Sequence, residues 1–287
     1  MIAAAYRALR RRTASLLNGF LMPRLGFKLV RSYPDRFSYV RLDGASGTRL
    51  AVSGMGCRAE VRLREGTSDW MTFDQIFVEE DYDLRALARF DELKTHFDTI
   101  AARGVPLIVD LGANIGLSSV YFSMMWPGAR VVAVEPDPGN FMLLTENVSG
   151  IPAIEPLQAG ASSSGDALRI VNHRVGKNAF RTSPAFGEAD AIPGVTVPSL
   201  LAEQRRRGAI PFAVKIDIEG AESDLFSGNL GWIDEIPLII VELHDWLYPG
   251  EGTARSFLSA VAARNRDFIY LDENVFSIAN PLPVSMG

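Results

Sequence analysis

The chain has 287 residues, of which 47% are apolar, so it is long enough for one large α/β domain with an extension. Its formal net charge of −5 does not favour a general nucleic-acid binder. Cys57 is the only cysteine in the sequence, which excludes an internal disulfide and favours a reducing compartment. No apolar run approaches the roughly 18 residues of a membrane-crossing helix, so we expect a cytoplasmic protein.

Residues 1–34 are basic, and the first acid is Asp35. Their composition predicts a helical segment that either lies on an anionic membrane surface, as a peripheral contact, or docks on the body of the protein. An organellar presequence would have a similar composition, whereas the long apolar core of a secretory signal is missing. The charges that carry this prediction are interleaved with apolar residues: Arg7, Arg10, Arg11, Arg12, Arg24 and Lys28.

Residues 35–104 form a predicted β/α extension. Three short runs alternate polar and apolar residues and are separated by glycine-containing turns, which predicts a small antiparallel sheet: FSYVRL, TRLAVSG and AEVRLRE. From Trp70 to His96 the apolar residues recur every three to four positions, which predicts helix.

Residues 105–287 alternate apolar strands with amphipathic helices. The strands are predicted over 107–111, 130–135, 154–159, 212–218, 238–243, 268–271 and 275–278. The helices are predicted over 114–125, 139–148, from 221 onward and over 254–264. This alternation predicts a mainly parallel sheet that is covered on both faces. The last two strands are close enough in sequence to form an antiparallel hairpin.

The strand over 107–111 runs into the glycine-spaced turn VDLGANIG and then into a helical pattern. This order is typical of a nucleotide cradle, because glycine lets the backbone approach the ligand and the first helical N–H groups face it. Glu135 ends the next strand, where a carboxylate can accept hydrogen bonds from the ribose of a nucleotide held at Gly112 and Gly116. A solvated acid at a strand end is the alternative interpretation of Glu135.

Three features favour S-adenosylmethionine over NAD in this cradle. A GxGxxG fingerprint would need glycines where the chain has Asn114 and Leu117. Asp110, just before the turn, would repel a pyrophosphate but attract a sulfonium and an amino group. No Tyr-x-x-x-Lys pair of the kind used by short-chain dehydrogenases occurs in the sequence.

Five ionisable residues follow or end two further strands. Strand alternation places Lys215, Asp217 and Glu219 on one side of the segment VKIDIEGAE, and Glu242 and His244 on one side of IIVELH. Such groups are costly to bury unless they pair with one another or face a site. An ion-pair network around Lys215 is therefore one interpretation, and an active site is the other.

His244 is the first candidate for a general base, because an unperturbed histidine pKa of about 6.5 suits proton transfer at neutral pH. Glu219 is the second candidate. Asp217, Glu219 and His244 could also supply oxygen and imidazole ligands to Mg²⁺. We nevertheless predict no metal site, because no tight ligand spacing such as HxxxH or DxD is present.

Four segments together resemble the FkbM family of S-adenosylmethionine-dependent methyltransferases: VDLGANIGLSSVYFS, VEPDPGNFMLLTENV, VKIDIEGAESDLF and IIVEL. The resemblance implies a Rossmann-like class I methyltransferase fold, whose seven-stranded, mostly parallel sheet ends in an antiparallel C-terminal hairpin. It implies that the methionine end of the donor is held by Asp110, Gly112, Asn114 and Gly116. It further implies that Glu135 binds the ribose, that Asp217 and Glu219 lie at the methyl-transfer mouth, and that Gln158 or nearby backbone contacts the adenine.

The resemblance also implies an acceptor hydroxyl on a sugar, a glycan or a secondary metabolite. We therefore expect an S-adenosylmethionine-dependent O-methyltransferase that acts on a small-molecule or glycan partner. A non-catalytic nucleotide-binding or membrane-tethered interaction protein is the alternative from another class. An NAD-dependent oxidoreductase is a third hypothesis.

Overall fold

The computed structural model describes residues 37–42, 48–172, 180–184 and 191–283. The basic segment predicted over residues 1–34 lies outside these ranges. Among the residues that are described, no helix combines the length and the apolar character that crossing a bilayer would require.

The N-terminal extension begins with a three-stranded antiparallel sheet, as its alternating pattern predicts: β1 (Ser38–Leu42), β2 (Thr48–Gly54) and β3 (Cys57–Leu63). The helical region that follows is broken into four pieces: α1 (Asp69–Phe73), a π-helix (Asp74–Glu79), a 3₁₀ turn (Leu84–Ala86) and α2 (Phe90–Ala101). The continuous helical pattern of the sequence is interrupted at Glu80, whose left-handed backbone (φ 57°) ends the π-helix.

A seven-stranded sheet forms the centre of the body. Its strands are β4 (Val105–Leu111), β5 (Arg130–Glu135), β6 (Ile154–Gln158), β11 (Ala209–Ile216), β12 (Leu238–Glu242), β13 (Arg266–Leu271) and β14 (Asn274–Ala279). Across the sheet they lie in the order β13-β14-β12-β11-β4-β5-β6. Strands β4, β5, β6, β11 and β12 are parallel, and β14 is antiparallel to both β12 and β13. The predicted fold class is confirmed.

Two shorter pairs of strands accompany this sheet. Strand β7 (Gly160–Ala161) pairs with β10 (Gly194–Val195), and β8 (Leu168–Asn172) pairs with β9 (Phe180–Pro184). The remaining α-helices of the described residues are α3 (Leu117–Met125), α4 (Pro138–Val148), α5 (Val197–Arg206), α6 (Glu222–Leu225) and α7 (Arg255–Ala262), and a 3₁₀ helix spans Leu230–Glu235.

Hydrophobic cores cover both faces of the sheet. One contains side chains from α2, α3, α4 and the N-terminal extension, and the other contains side chains from α5, α6 and α7. The extension is part of the first core, since the ring of Phe37 lies 5.0 Å from that of Tyr121 on α3. The division between residues 35–104 and 105–287 therefore stays a prediction, because the two parts share buried apolar surface.

The strand register brings three chain segments to one edge of the sheet. Asp110 on β4 is opposite Lys215 on β11, and Lys215 is opposite Ile240 on β12. Since these strands are parallel, the residues that follow them meet at the same carboxyl edge. This edge contains the glycine turn after β4 and the acidic segment after β11.

Two predicted boundaries at this edge were wrong for the same reason. Helix α3 begins at Leu117 rather than at residue 114, because Asn114 (φ 50°) and Gly116 (φ 90°) hold the preceding turn in left-handed conformations. Strand β11 ends at Ile216 rather than at residue 218, and Glu219 (φ 53°) turns the chain away from the sheet. Backbone conformations of this kind are concentrated at ligand sites.

Candidate active site

The glycine turn after β4 packs directly against the segment that follows β11. Gly112 has a φ of 76°, and a Cβ atom built on it would lie 1.7 Å from the carbonyl oxygen of Asp217. The close approach of the two segments therefore requires glycine at this position, as the sequence predicts. Gly116 is restricted in the same way by helix α4, because its Cβ would lie 2.6 Å from Leu144 Cδ1.

We predict that Gly112→Ala lowers the free energy of unfolding by about 2–5 kcal/mol. About 1–2 kcal/mol comes from the left-handed backbone and about 1–3 kcal/mol from the contact with the Asp217 carbonyl. Gly128→Ala is the matched control, since Gly128 has a φ of 89° but a Cβ atom built on it would meet none of the described atoms within 4 Å. Urea denaturation of both variants measures the difference, and equal losses would contradict a close approach at Gly112.

Glu135 lies beside this turn at the end of β5 and is almost fully buried. Its Oε2 accepts a hydrogen bond from the backbone N–H of Asn114 (2.8 Å), and its Oε1 accepts one from the N–H of Asp137 (3.0 Å). Burial raises the pKa of Glu135 from 4.5 to about 7, although these hydrogen bonds act against the rise. The carboxylate thereby fixes the shape of the turn, and it also lines a narrow cleft.

The cleft passes between the glycine turn and the ends of β5 and β6. Its walls include Gly112, Asn114, Glu135, Asn140, Ala159, Gly160, Ala161, Asp217 and Glu219. Gln158, the predicted adenine contact, does not line it, and the three residues that follow Gln158 do. The backbone after β6, which the sequence offered as the alternative, is therefore better placed for that contact than the Gln158 side chain.

Asp110 and Lys215 form a buried ion pair beneath the turn. Lys215 Nζ is 3.2 Å from Asp110 Oδ1, and it donates a hydrogen bond to the carbonyl oxygen of Gly112 (2.8 Å). The hydroxyls of Ser118 and Ser119 both donate to Asp110 Oδ2 at 2.6 Å. Asp110 is completely buried and lines neither this cleft nor the larger cavity described below, so a donor contact of Asp110 stays a prediction.

Burial acts to lower the pKa of Lys215, but the charges of Asp110 and Asp217 outweigh it and hold that pKa well above 10.5. Lys215 Nζ is 3.3 Å from Asp217 Oδ2, so the lysine connects the glycine turn to the acids after β11. Lys215 is therefore part of an ion-pair network, and the same network contains the acids that the sequence suggests for an active site.

The imidazole of His244 lies at the centre of the acidic residues. Its Nε2 is 3.5 Å from oxygens of Asp217 and Glu219 and 3.6 Å from Glu242 Oε1. On the other side of the ring, Nδ1 is 2.9 Å from Oε1 of Glu222, which is fully buried. The five ionisable residues at the ends of β11 and β12 therefore do lie together in the structure. Glu222 is a sixth member of this cluster, which sequence reasoning missed.

The expectation that His244 titrates near neutral pH was wrong. Burial lowers the pKa of His244, but the hydrogen bond to Glu222 and the charges of Glu222, Asp217 and Glu219 together raise it to about 10. At pH 7 the ring is an imidazolium, which donates protons and cannot accept one. Free histidine is a good base because its pKa lies near neutral pH, and here the acidic neighbours raise that pKa.

Two glutamates in the cluster titrate close to neutral pH instead. Burial and the charge of Asp217 raise the pKa of Glu219 to about 7. The same two causes raise the pKa of Glu242 to about 8. A carboxylate with a pKa near 7 is matched to general-base catalysis at physiological pH.

Asp217, Glu242 and His244 each offer one ligand atom within 4.8 Å of the others, a spacing that a cation could bridge. In this structure the imidazolium of His244 and the ammonium of Lys215 already supply positive charge to these carboxylates. The prediction that the site holds no metal stays a prediction.

A second cavity of about 600 Å³ borders the cluster. It shares Gly112, Asn114, Asp217 and Glu219 with the cleft. Part of its lining comes from the N-terminal extension and includes Thr67, Met71, Gln75 and Tyr82, and another part comes from the C-terminal end of the body and includes Trp246, Leu247, Glu273 and Asn274. Sequence reasoning missed the contribution of the extension to the site, because a helical periodicity does not say what the exposed face of a helix meets.

Comparison with known proteins links the chain to one family. The model of the methyltransferase FkbM domain matches residues 110–270. The chain is 28% identical over 153 residues to the hexuronic acid methyltransferase AglP of Haloferax volcanii, an alignment that covers 50% of this chain and 58% of AglP. It is 41% identical over 68 residues to the methyltransferase sdnD of Sordaria araneosa, covering 23% of this chain and 26% of sdnD.

Among solved structures, the chain is similar to an O-methyltransferase from Bacillus cereus in complex with SAH. That structure has a TM-score of 0.40 and 12% sequence identity, and the match covers 73% of this chain and 90% of the other.

Proposed function

Because this chain belongs to the FkbM methyltransferase family, we propose that it transfers the methyl group of S-adenosylmethionine to a hydroxyl oxygen of a sugar, glycan or secondary metabolite. Membership of this family favours an enzyme over a non-catalytic binding protein and over an NAD-dependent oxidoreductase. The name of AglP makes a hexuronic acid one candidate acceptor. The chain spans about half the length of that relative, so the acceptor has to be identified from the site itself.

The observation that carries this proposal is that two cavities meet at four shared residues. Gly112, Asn114, Asp217 and Glu219 line both the narrow cleft and the larger cavity. A donor bound in the cleft and an acceptor bound in the cavity would face each other at this junction. Methyl transfer is an in-line displacement at a sulfonium, so holding the two reactants at near-attack distance supplies much of the rate enhancement.

The chemistry of the cleft supports its assignment to the donor. Glu135 offers carboxylate oxygens for the ribose hydroxyls, and the backbone of Gly112 and Asn114 lines the part of the cleft that we assign to the methionine end. Gly116 lines neither cavity, and we assign it the close packing of the turn on α4. Asp217, at the junction, offers an oxygen to the donor's amino group. Asp110 has no surface in either cavity, and we assign it the support of the turn through Lys215.

Glu219 is the residue that we assign as the general base. A hydroxyl acceptor loses its proton during transfer, and Glu219 combines a position at the junction with a pKa of about 7. His244 then acts as an imidazolium that holds Asp217, Glu219 and Glu242 around the junction.

Calorimetric titration with S-adenosylmethionine is the primary test. We expect one site per chain, and we expect Glu135→Gln to weaken binding by about tenfold to a hundredfold because charge-assisted hydrogen bonds to the ribose are lost. In the parent, affinity should fall between pH 8 and pH 6, since Glu135 gains a proton near pH 7, and in Glu135→Gln this dependence should be missing.

Glu155→Gln is the matched control, because Glu155 pairs with Arg207 outside both cavities. The proposal is wrong if NAD gives heat and S-adenosylmethionine gives none. Donor binding without transfer of labelled methyl to any fraction of a sugar, lipid and metabolite extract would instead support the non-catalytic alternative.

A further inference from the structure

Two large apolar side chains that line the larger cavity are exposed. Trp246 is 67% exposed, and Met71, on the extension, is 63% exposed. The indole ring of Trp246 lies 6.4 Å from the imidazole of His244, so it is next to the acidic cluster. Apolar and aromatic side chains that line a cavity are typical ligand contacts.

The charged groups around this cavity are mostly acidic. The carboxylates on its walls are Asp81, Asp217, Glu219, Glu242 and Glu273, and Lys215 is the cation among the described lining residues. That lysine is already within 3.3 Å of both Asp110 and Asp217. No arginine belongs to the part of the lining that the structure describes.

We propose that this cavity binds the acceptor as an uncharged sugar ring, stacked on Trp246, and that its acidic walls exclude a ring with a carboxylate beside the reacting hydroxyl. This proposal rests on the function proposed above, and it selects one substrate class within it. A hexuronic acid is thereby disfavoured as the acceptor.

The cavity offers both an aromatic surface and hydrogen-bond acceptors, and a sugar ring can use both. A pyranose has an apolar face of C–H groups, which packs on an indole, and equatorial hydroxyls, which donate hydrogen bonds to carboxylates. The acids that surround Glu219 therefore act as acceptors for the hydroxyl hydrogens of the sugar. Above about pH 8, where Glu219 and Glu242 are both ionised, a uronate would bring a further negative charge among five wall carboxylates that outnumber Lys215 and the His244 imidazolium. Partial burial of these groups strengthens the repulsion.

The test measures binding of methyl glycosides to the protein saturated with S-adenosylhomocysteine. The probes are methyl glycosides of glucose, galactose and mannose and the matching uronates of glucose and galactose. At pH 9, where the wall acids are ionised, we expect at least one neutral glycoside to bind at least about tenfold more tightly than its uronate. Trp246→Ala should weaken neutral-glycoside binding by about tenfold, and Trp246→Phe should keep it within about threefold of the parent.

Tyr270→Ala is the matched control, because Tyr270 is 70% exposed on β13 and lies outside the cavity. Equal or tighter binding of a uronate would overturn the proposal, as would full affinity in Trp246→Ala or the absence of glycoside binding to a protein that binds the donor. Failure to bind S-adenosylhomocysteine and S-adenosylmethionine would count against the proposed function instead, so the two failures are distinguishable.

Discussion

Replacing Glu219 with glutamine is expected to lower kcat by about 10²- to 10⁴-fold, the usual contribution of a positioned general base. Glutamine keeps the size and hydrogen-bonding reach of the side chain but cannot accept the acceptor's proton. Because the substitution leaves the ribose end of the cleft unchanged, the Kd of S-adenosylmethionine should stay within about threefold of the parent value. The measurements are labelled-methyl transfer to an acceptor found with the glycoside panel and calorimetry with the donor.

The pH dependence of the parent gives a second readout of Glu219. A base is active when it is deprotonated, so kcat should rise with pH through about 7, where Glu219 ionises. It should fall again above about pH 10, because the His244 imidazolium then loses its proton and the carboxylates that it holds repel one another. In Glu219→Gln the acid limb should be missing from the residual activity.

Two further variants identify the base if it is not Glu219. Loss of the acid limb in Glu242→Gln, with Glu219→Gln nearly as active as the parent, would assign proton abstraction to Glu242. Loss of that limb in His244→Gln alone would restore the interpretation of His244 as the base. Glu155→Gln is the control, since Glu155 pairs with Arg207 outside both cavities.

The sequence predicted which residues lie together at the carboxyl edge of the sheet, because their placement depends on local patterns and on one topological rule. Gly112 and Gly116 follow from the strand-turn-helix pattern. Asp217 and Glu242 follow from strands whose apolar runs make them parallel and buried, since the carboxyl ends of such strands meet. These inferences need only the order and type of the elements, and both were available from periodicity.

The protonation states and the cavity walls depended on contacts that sequence spacing does not contain. Glu222 belongs to the acidic segment after β11, but its contact with His244 Nδ1 results from the turn at Gly220, whose φ is 92°. The pKa of His244 follows from that contact, so a value taken from free histidine was misleading. The approach of Met71 to the cavity depends on how the extension docks on α3, a long-range packing event with no local signature.

The other large effect is expected from Lys215→Met, which should lower the free energy of unfolding by about 3–5 kcal/mol. Removing one partner of a buried ion pair has a cost of this size because it leaves an uncompensated charge. Asp110 is fully buried and Lys215 is 2% exposed, so water does not replace the missing ammonium. The carbonyl of Gly112 also loses its 2.8 Å hydrogen bond.

Urea denaturation at pH 7 measures this loss, and Lys94→Met is the matched control. Lys94 forms an exposed pair with Asp98 one helical turn away, so its removal should change the free energy of unfolding by less than about 1 kcal/mol. The double variant Asp110→Asn/Lys215→Met should recover part of the loss, because it removes the buried charge that Lys215→Met leaves behind.

Lys215→Met should also weaken S-adenosylmethionine binding, because the lysine connects the glycine turn to Asp217. The double variant distinguishes the contribution of Lys215 to stability from its contribution to donor binding. Recovery of stability without recovery of donor affinity is the expected result, since Asp110→Asn removes a charge but does not restore the hydrogen bond to Gly112. Parallel recovery of stability and of donor affinity would mean that Lys215 affects the donor only through folding. A stability loss in Lys215→Met no larger than that in Lys94→Met would contradict a buried ion pair.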